Sequence, residues 1–422
     1  MKIYKFGGAS VKNAEGVCNL CRIVGGANDK LVVVVSAMGK TTNALEAVLD
    51  SFFNRKPDLE ACIEAVVDYH NAIVDELFTP QNRYAVDEQL AQLYGNLRAD
   101  LALKPSLSYD YEYDRIVSYG ELISTTIVAA YLHTQGVRVK FVDIRNYLKT
   151  DDNYREGNVD MKLSHRLIND VFNFVNYDLY VTQGFIAGTL TNQTTTLGRE
   201  GSDYTAALLA NLLNAESVTI WKDVPGVMNA DPKRYTEVQV IPKLSYKEAI
   251  ELSYCGASVI HPKTVKPIQN KRIPLLVRSF IDPTQPGSVI EEVIGKLDLP
   301  PVYINKANQV LLTLTPRDFS FIAEEKLSKI FAILASYRTK VSLIQTSAIS
   351  FSLCIDYNPA IFKNLVAEFQ DEYEVLYNTD VELITIRHYT KEIVDKLVGE
   401  KLVFVEQRNR LTARFVISEH GK

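Results

Sequence analysis

Residues 31–35 read Leu-Val-Val-Val-Val and run straight into Ser-Ala-Met-Gly-Lys-Thr-Thr at 36–42. A run this short, apolar and β-branched is a buried strand rather than a helix. A strand without a polar face needs cover on both sides, which is the situation in a parallel sheet. The turn at its C-terminal end then lies where open α/β sheets receive their ligands. The first three hundred residues repeat this rhythm. Strand patterns at 2–6, 137–143, 177–182, 217–221 and 273–280 alternate with helical stretches, among them 11–25, 246–254 and a helix through 268. Residues from about 44 to 104 carry no strand pattern and form a helical insertion, a common place for a substrate-facing lobe. Such βα alternation implies a mostly parallel open sheet with helices on both faces.

Composition narrows the function classes. The chain of 422 residues is long enough for two or three domains, and a formal net charge of −5 lacks the basic excess that nucleic-acid binding needs. No apolar run approaches the roughly 20 residues of a membrane span, so a cytoplasmic protein is expected. Five cysteines fit a reducing compartment better than a disulfide framework. Cys18 and Cys21 have C-x-x-C spacing without a second pair and read as packed core thiols. The six histidines show no metal-binding grouping, and no protein metal ligands are assigned.

Gln285-Pro286-Gly287 and Leu299-Pro300-Pro301 punctuate a boundary near residue 299. The domains expected are 1–298, with the insertion at about 44–104, and 299–422. Beyond the boundary the pattern is strand 310–314, then a helix at 322–336 with Leu327, Ile330, Phe331 and Leu334 on one face. Strands at 341–344 and 350–355, a helix at 360–369 and a strand at 381–386 follow. A short helix at 391–397 and strands at 402–405 and 414–417 complete it. This reads as βαββαβ followed by an abbreviated second copy. Small α+β units of this kind leave sheet edges free for pairing, so self-association is expected.

Four stretches carry chemistry. TTTLGREGSDYTAALLAN at 194–211 places Arg199 and Glu200 between glycines, ahead of a helix expected from Tyr204 with Ser202 or Asp203 as N-cap. The N–H groups of its first turn and Arg199 together suit a carboxylate or phosphate. KFGGAS at 5–10 puts the Lys5 ammonium at a strand end beside Gly7 and Gly8. DRIVSYGELIS at 114–124 carries Glu121 in an apolar helical segment, where a buried carboxylate needs a cationic partner such as a substrate amine. WKDVPGVMNADPK at 221–233 ends a strand with Lys222 and Asp223; Trp221 reads equally as core or as nucleotide neighbour. Gly39-Lys40-Thr41 is not a P-loop, since Val34 occupies the position of that motif's first glycine. Ser36 and Thr42 nevertheless place hydroxyls at the same strand end.

Taken together and in order, these motifs resemble those of aspartate kinases: KFGGAS, SAMGKTTNAL at 36–45, GELIS at 120–124, GFIAG, TTTLGREGSDYTAA, WKDVPGVMNADPK and GASVIHPKT at 256–264. The resemblance runs from Lys2 to about residue 290, and the C-terminal pattern resembles the paired ACT domains of the same family. It implies an amino-acid-kinase fold with C-terminal α+β ACT-like domains, transferring the ATP γ-phosphoryl to the β-carboxylate of L-aspartate. That reaction opens lysine, threonine and methionine biosynthesis. By the family's pattern Lys5 neutralises the transferring phosphate, and Asp203 organises Lys5 or magnesium. Arg199 pairs with the α-carboxylate, Glu121 meets the α-amine, and Thr42, Gly201 and Ser202 contact substrate. Gly7, Gly8, Ser36, Lys222, Asp223, Met228, Lys233 and Ser258 serve the nucleotide, with Mg²⁺ bridging its β- and γ-phosphates. A homodimer or higher homo-oligomer is implied, with an amino-acid effector at the ACT region.

Several positions depart from that pattern. Ala9 stands for a threonine, Glu200 for a glycine, Met228 for a tyrosine and Ser258 for a lysine. Ser342 and Ala348 stand where lysine-sensitive members often carry aspartate and glutamate. The rival readings are a kinase of the same superfold acting on acetylglutamate, glutamate, carbamate or UMP, and an amino-acid-binding regulator with a silent kinase domain. The joint presence of Lys5, Glu121, Arg199 and Asp203 speaks against the second, because burial makes idle charges costly. No dinucleotide fingerprint follows the C-terminal segments, so a fused homoserine dehydrogenase is not expected.

Overall fold

A computed structural model describes residues 1–418 except Asn28, Ser258, Val259, Lys296 and Phe319. The chain divides into two compact units, each discontinuous in sequence. The first comprises 1–227, 240–253 and 258–297; the second comprises 228–239, 254–257 and 298–422.

The first unit begins with β1 (Lys2–Phe6), α1 (Ala14–Gly25) and β2 (Leu31–Val35), then a run of helices: α2 (Thr41–Phe53), α3 (Leu59–Leu77), α4 (Tyr84–Ala102), α5 (Tyr109–Val117) and α6 (Tyr119–Thr134). There follow β3 (Val139–Val142), α7 (Met161–Val171), β4 (Leu179–Gln183), the small hairpin β5 (Ile186–Gly188) and β6 (Thr194–Thr196), and α8 (Gly201–Leu213). The unit ends through β7 (Ser217–Lys222), β8 (Lys243–Ser245), α9 (Tyr246–Tyr254), α10 (Pro262–Gln269), β9 (Leu275–Ser279) and β10 (Ser288–Glu291). Eight strands form one sheet in the order β3-β4-β2-β1-β7-β9-β10-β8. All neighbours are parallel except β9 and β10.

All five residues of β2 are buried, as an apolar run between two covered faces must be. The chain leaves β1 toward β2 on one side and later returns to β1 through β7 on the other. That reversal of strand order is where such sheets open a crevice at their C-terminal ends.

The second unit is built differently. β11 (Val302–Pro316) and β14 (Tyr373–Arg387) are strands of 15 residues each, far longer than the patterns at 310–314 and 381–386 suggest. Around them lie α11 (Glu324–Ser336), β12 (Val341–Thr346), β13 (Phe351–Asp356), α12 (Pro359–Gln370), α13 (Lys391–Val398), β15 (Leu402–Arg408) and β16 (Thr412–Ser418). Six antiparallel strands run β12-β13-β11-β14-β16-β15. The long pair crosses both halves of the pattern, so the two copies share one sheet. A register shift between Lys306 and Gln309 marks the change-over, with Asn308 and Asp380 in left-handed conformation.

Three cores hold this sheet. Helices α11 and α12 bury Ile330, Leu334, Leu365 and Phe369 against Val310, Leu312 and Leu353. Helix α13 buries Val394 and Leu397 against Ile384, Ile386 and Phe415. The opposite face closes on itself, with Leu343, Cys354, Leu383, Val405 and Val416 in one cluster. Gln407 on β15 donates to the Ile344 carbonyl on β12 at 2.5 Å, bringing the two edge strands together. Phe331, expected on the buried stripe, is 40% exposed and meets Phe351 edge-on instead.

Candidate active site at the C-terminal edge of the parallel sheet

Lys5 is the fourth residue of β1, opposite Val34 of β2 and Ile220 of β7. Strand alternation and the covering helices leave it 9% exposed. Its Nζ lies 2.5 Å from Oδ1 of Asp203, a residue in the first turn of α8 that is 3% exposed. Oδ1 falls outside hydrogen-bond alignment, so the contact is ionic. A buried pair of this kind gains little over its desolvation cost and is weak as a stability device. Its chemical effect is to hold an ammonium at the crevice.

The turns around Lys5 are tightly nested. A Cβ on Gly8 would stand 2.6 Å from the Ala37 carbonyl oxygen, and Gly39 N–H donates to the Gly8 carbonyl at 3.0 Å. Only glycine lets the turn after β1 lie against the turn after β2 this closely. Gly7 lies beside the Lys5 ammonium, where a Cβ would be 3.4 Å from Nζ. Half-buried Ser36 is fixed by its backbone: its N–H donates to Phe6 at 3.1 Å and its carbonyl accepts from Ser124 Oγ at 2.7 Å.

Glu121 enters from α6. Gly120, whose added Cβ would meet Ala37 Cβ at 2.9 Å, lets that helix approach the same turn. Glu121 is 2% exposed, and its Oε1 accepts from Ala37 N–H at 3.1 Å. Its Oε2 is buried and has no hydrogen-bond partner among the described residues. Burial pushes its pKa up to about 8, opposed by the Ala37 N–H and the Lys5 charge. A buried acceptor left open is costly unless a donor arrives.

The loop between β6 and α8 supplies the next group. Gly198 (φ +77°) and Glu200 (φ +54°) turn the chain in left-handed conformation, and Gly201 N–H donates to Gly198 at 3.0 Å. The helix therefore begins at Gly201 rather than Tyr204. Glu200 occupies the N-cap position without a side-chain cap, which corrects the assignment of Ser202 or Asp203 to that role. Both lie instead inside the first turn and are buried, while Arg199 is exposed at the tip. Gly201 is required, since a Cβ there would come 2.6 Å from the Phe185 ring; one on Gly184 would strike Ser202 Cβ at 2.5 Å. Thr42 is half-buried in the first turn of α2.

On the other side of β1, half-buried Lys222 ends β7 and Asp223 is exposed. Trp221 belongs to the core: it is 3% exposed, stacked on Phe6 with ring centroids 6.1 Å apart, and covered by the Arg278 guanidinium at 5.2 Å. Met228 and the exposed Lys233 belong to the second unit, and Ser258 lies outside the described residues. Among the described residues no cluster of three or more His, Cys, Asp or Glu side chains could hold a metal ion. The half-buried Cys18 lies 3.1 Å from the Tyr131 hydroxyl. No helix of the described residues is long and apolar enough to cross a membrane.

Sequence reasoning missed several supports of this site. Glu200 Oε2 accepts from His261 N–H at 2.9 Å, and Lys263 Nζ donates to the Leu197 carbonyl at 3.0 Å, tying the Arg199 loop to α10. Asp114, fully buried on α5, grips β6. A single carboxylate in a helix that also carries Asp110 and Glu112 gives no signal in the sequence that it points inward.

Residues 1–279 match the amino acid kinase family, and the chain belongs to it. Within that family it belongs to the aspartokinases. It is 33% identical over 363 residues to the lysine-sensitive aspartokinase 3 of Escherichia coli, covering 84% of this chain and 78% of that one. It is 30% identical over 382 residues to chloroplastic aspartokinase 1 of Arabidopsis thaliana, covering 87% and 66%. It matches the bifunctional aspartokinase/homoserine dehydrogenase 2 of the same plant at 32%, spanning 32% of that protein. The fold superposes on E. coli aspartokinase III in complex with aspartate and ADP with a TM-score of 0.82 at 27% identity, covering 99% of this chain and 96% of the other.

The Glu121 environment makes the unliganded protein sensitive to pH in a definite direction. Below about pH 4.5 folded and unfolded chains both hold the proton. Between there and about 8 the folded state retains a proton that the unfolded state releases, so stability falls as pH rises. Urea midpoints between pH 5.5 and 8.5 should decline for wild type relative to Glu121→Gln, which removes this term. Parallel profiles would show that Glu121 is already ionised.

Proposed function

We propose that this chain is an aspartate kinase that phosphorylates the β-carboxylate of L-aspartate with ATP, giving 4-phospho-L-aspartate. The observation that carries the reading is the pairing, at one sheet edge, of a held ammonium on Lys5 with the open buried carboxylate oxygen of Glu121. An amino acid brings the amine that Glu121 lacks, and a phosphoryl donor brings the anion that Lys5 awaits. In this reading Arg199 forks onto the substrate α-carboxylate, a planar anion suited to two parallel hydrogen bonds. Thr42, Gly201 and Ser202 line the same substrate.

Phosphoryl transfer asks for positioning and charge neutralisation rather than covalent help. The acceptor carboxylate is ionised at neutral pH and needs no base, so Asp203 serves to orient Lys5. Gly7, Gly8 and Ser36 offer backbone and hydroxyl donors to phosphate, and Lys222 and Asp223 at the end of β7 extend the nucleotide contacts. Asp203 and Asp223 are the carboxylates that would meet a Mg²⁺ ion brought with the nucleotide, and that ion would offset the charge of the phosphates. The protein is cytoplasmic, and it assembles as a homodimer or higher homo-oligomer through the second unit. There Leu376 (61%), Tyr377 (50%) and Leu402 (41%) are exposed apolar side chains. Residues 1–298 form the kinase domain and 299–422 the ACT-like region.

Aspartate-dependent ADP formation with hydroxylamine trapping of the acyl phosphate, run against glutamate and acetylglutamate, tests the assignment. Turnover with acetylglutamate alone would overturn it. Arg199→Lys keeps the charge but loses the fork, so the KM for aspartate should rise about tenfold or more while that for ATP changes little. Equal loss for both substrates would remove Arg199 from the aspartate site. Lys5→Ala should lower kcat about 100- to 1,000-fold, the usual cost of losing one electrostatic donor at the reacting centre; near-normal turnover at saturating ATP would sink that role.

Regulation by lysine should be weak. A crystal structure of E. coli aspartokinase III contains lysine and aspartate. In this chain, Ser342 Oγ accepts from Lys306 Nζ at 3.1 Å, and the Ser342 carbonyl accepts from Arg414 at 3.4 Å. A cationic effector would meet two cations there and no carboxylate from Ser342 or Ala348. Initial rates at subsaturating aspartate, titrated with lysine, threonine and methionine, should show half-inhibition by lysine only at millimolar levels. Half-inhibition in the micromolar range would show that other residues supply the anionic partners.

A further inference from the structure

We infer that Asp114 is a positioning residue for the aspartate site, holding the loop that presents Arg199 through its grip on Thr196. The inference rests on the assignment of Arg199 to the substrate carboxylate. Asp114 lies on α5 and is fully buried. Its Oδ2 accepts from Thr196 N–H at 2.8 Å and from Arg155 N–H at 2.9 Å, and its Oδ1 accepts from the Thr196 hydroxyl at 2.6 Å. Three donors converge on one carboxyl group. The ionised form, an acceptor with no proton of its own, accepts from all three donors at once. Burial works against that form and pushes the pKa up to about 6, opposed by these same donors and by the charge of Arg155.

The grip reaches Arg199 by a short and rigid path. The Thr196 carbonyl accepts from Gly157 N–H at 2.9 Å, and Thr196 pairs with Ile186 in the β5–β6 hairpin. Leu197 N–H donates to Phe185 at 2.8 Å, and Lys263 holds the Leu197 carbonyl. Gly198 follows with its α-carbon against the Arg155–Gly157 turn; a Cβ there would lie 3.1 Å from the Arg155 carbonyl oxygen. The turn that Asp114 fixes through Arg155 thus backs the loop it fixes through Thr196. Arg199 comes next, exposed and without an ion pair among the described residues. Its place is set by its backbone, which Asp114 holds on the N-terminal side through Thr196, while Lys263 and Glu200 tie it to α10. Neither Asp114 nor Thr196 is assigned a substrate contact, so their loss should act through aspartate and not through the nucleotide.

The test is a full kinetic comparison of wild type, Asp114→Asn, Thr196→Val and Thr196→Ser with both substrates varied. Asparagine preserves shape but turns an NH₂ toward one of the three donors. The KM for aspartate should rise about tenfold, the scale of one charge-assisted hydrogen bond, with the KM for ATP within about twofold of wild type. Thr196→Val removes only the hydroxyl donor and should raise the aspartate KM about threefold, while Thr196→Ser, which keeps it, should match wild type. This valine–serine pair decides the matter if Asp114→Asn fails to fold. Equal rises in both KM values, a fall in kcat alone, or no change in any variant would overturn the inference. A wild-type protein without aspartate-dependent turnover would overturn the substrate reading, and this inference with it.

Discussion

The site depends on a contact between one strand and one helix that the sequence separates by almost two hundred residues: the ion pair of Lys5 and Asp203. Lys5 stands at the end of the strand where the sheet's order reverses, and Asp203 stands in the first turn of the helix packed under it. Neither charge could be buried alone at tolerable cost. Together they force β1, the Gly7-Gly8 turn and the start of α8 into one arrangement. The other features follow from that closeness. Glycine at 8, 120, 184 and 201 is what lets four backbone segments crowd around the pair, and Glu121 owes its raised pKa to the same exclusion of water.

Much of this was legible in the sequence, for identifiable reasons. The buried strands announce themselves because an apolar run such as 31–35 has no other place to go. Lys5, Glu121, Arg199 and Asp203 stand out because charges sit among glycines or apolar residues, against the local pattern. What was not legible shares a different character. The early start of α8 depends on Glu200 in a left-handed conformation, for which no local cap signal exists. The length of β11 and β14 was hidden by Asn305, Lys306, Asn308 and Gln309 in one and by Asn378, Thr379 and Asp380 in the other. Polar stretches of that kind read as breaks, yet here they are continuous strand at a shared seam. Trp221 read equally as core or ligand neighbour, and only the stack on Phe6 settles it as core.

The second unit shows how a sheet can unite two repeats that each look incomplete. The first repeat has two helices of its own, the second only α13. Had each closed separately, the second would lack cover on one face. By running β11 and β14 through both, the chain gives the shorter repeat a share in a six-stranded sheet, whose far face buries Leu343 and Val405 from opposite edges. The abbreviation is therefore a property of the helical layer and not of the sheet.

Glu200 specifies this loop through its backbone and its side chain together. A non-glycine residue in left-handed conformation costs on the order of 1 kcal/mol, and the aspartate-kinase pattern often has glycine there. The side chain that brings the cost also brings the compensation, because its Oε2 accepts from His261 N–H at the start of α10. That hydrogen bond involves a charged acceptor and so contributes on the order of the strain it offsets. The consequence is a change in what holds the helix start. In a chain with glycine the turn is permitted locally; in this one it is maintained by a tertiary contact between the Arg199 loop and α10. Any motion of α10 is thereby transmitted to the residue next to Arg199, while Asp114 holds the loop from its other end.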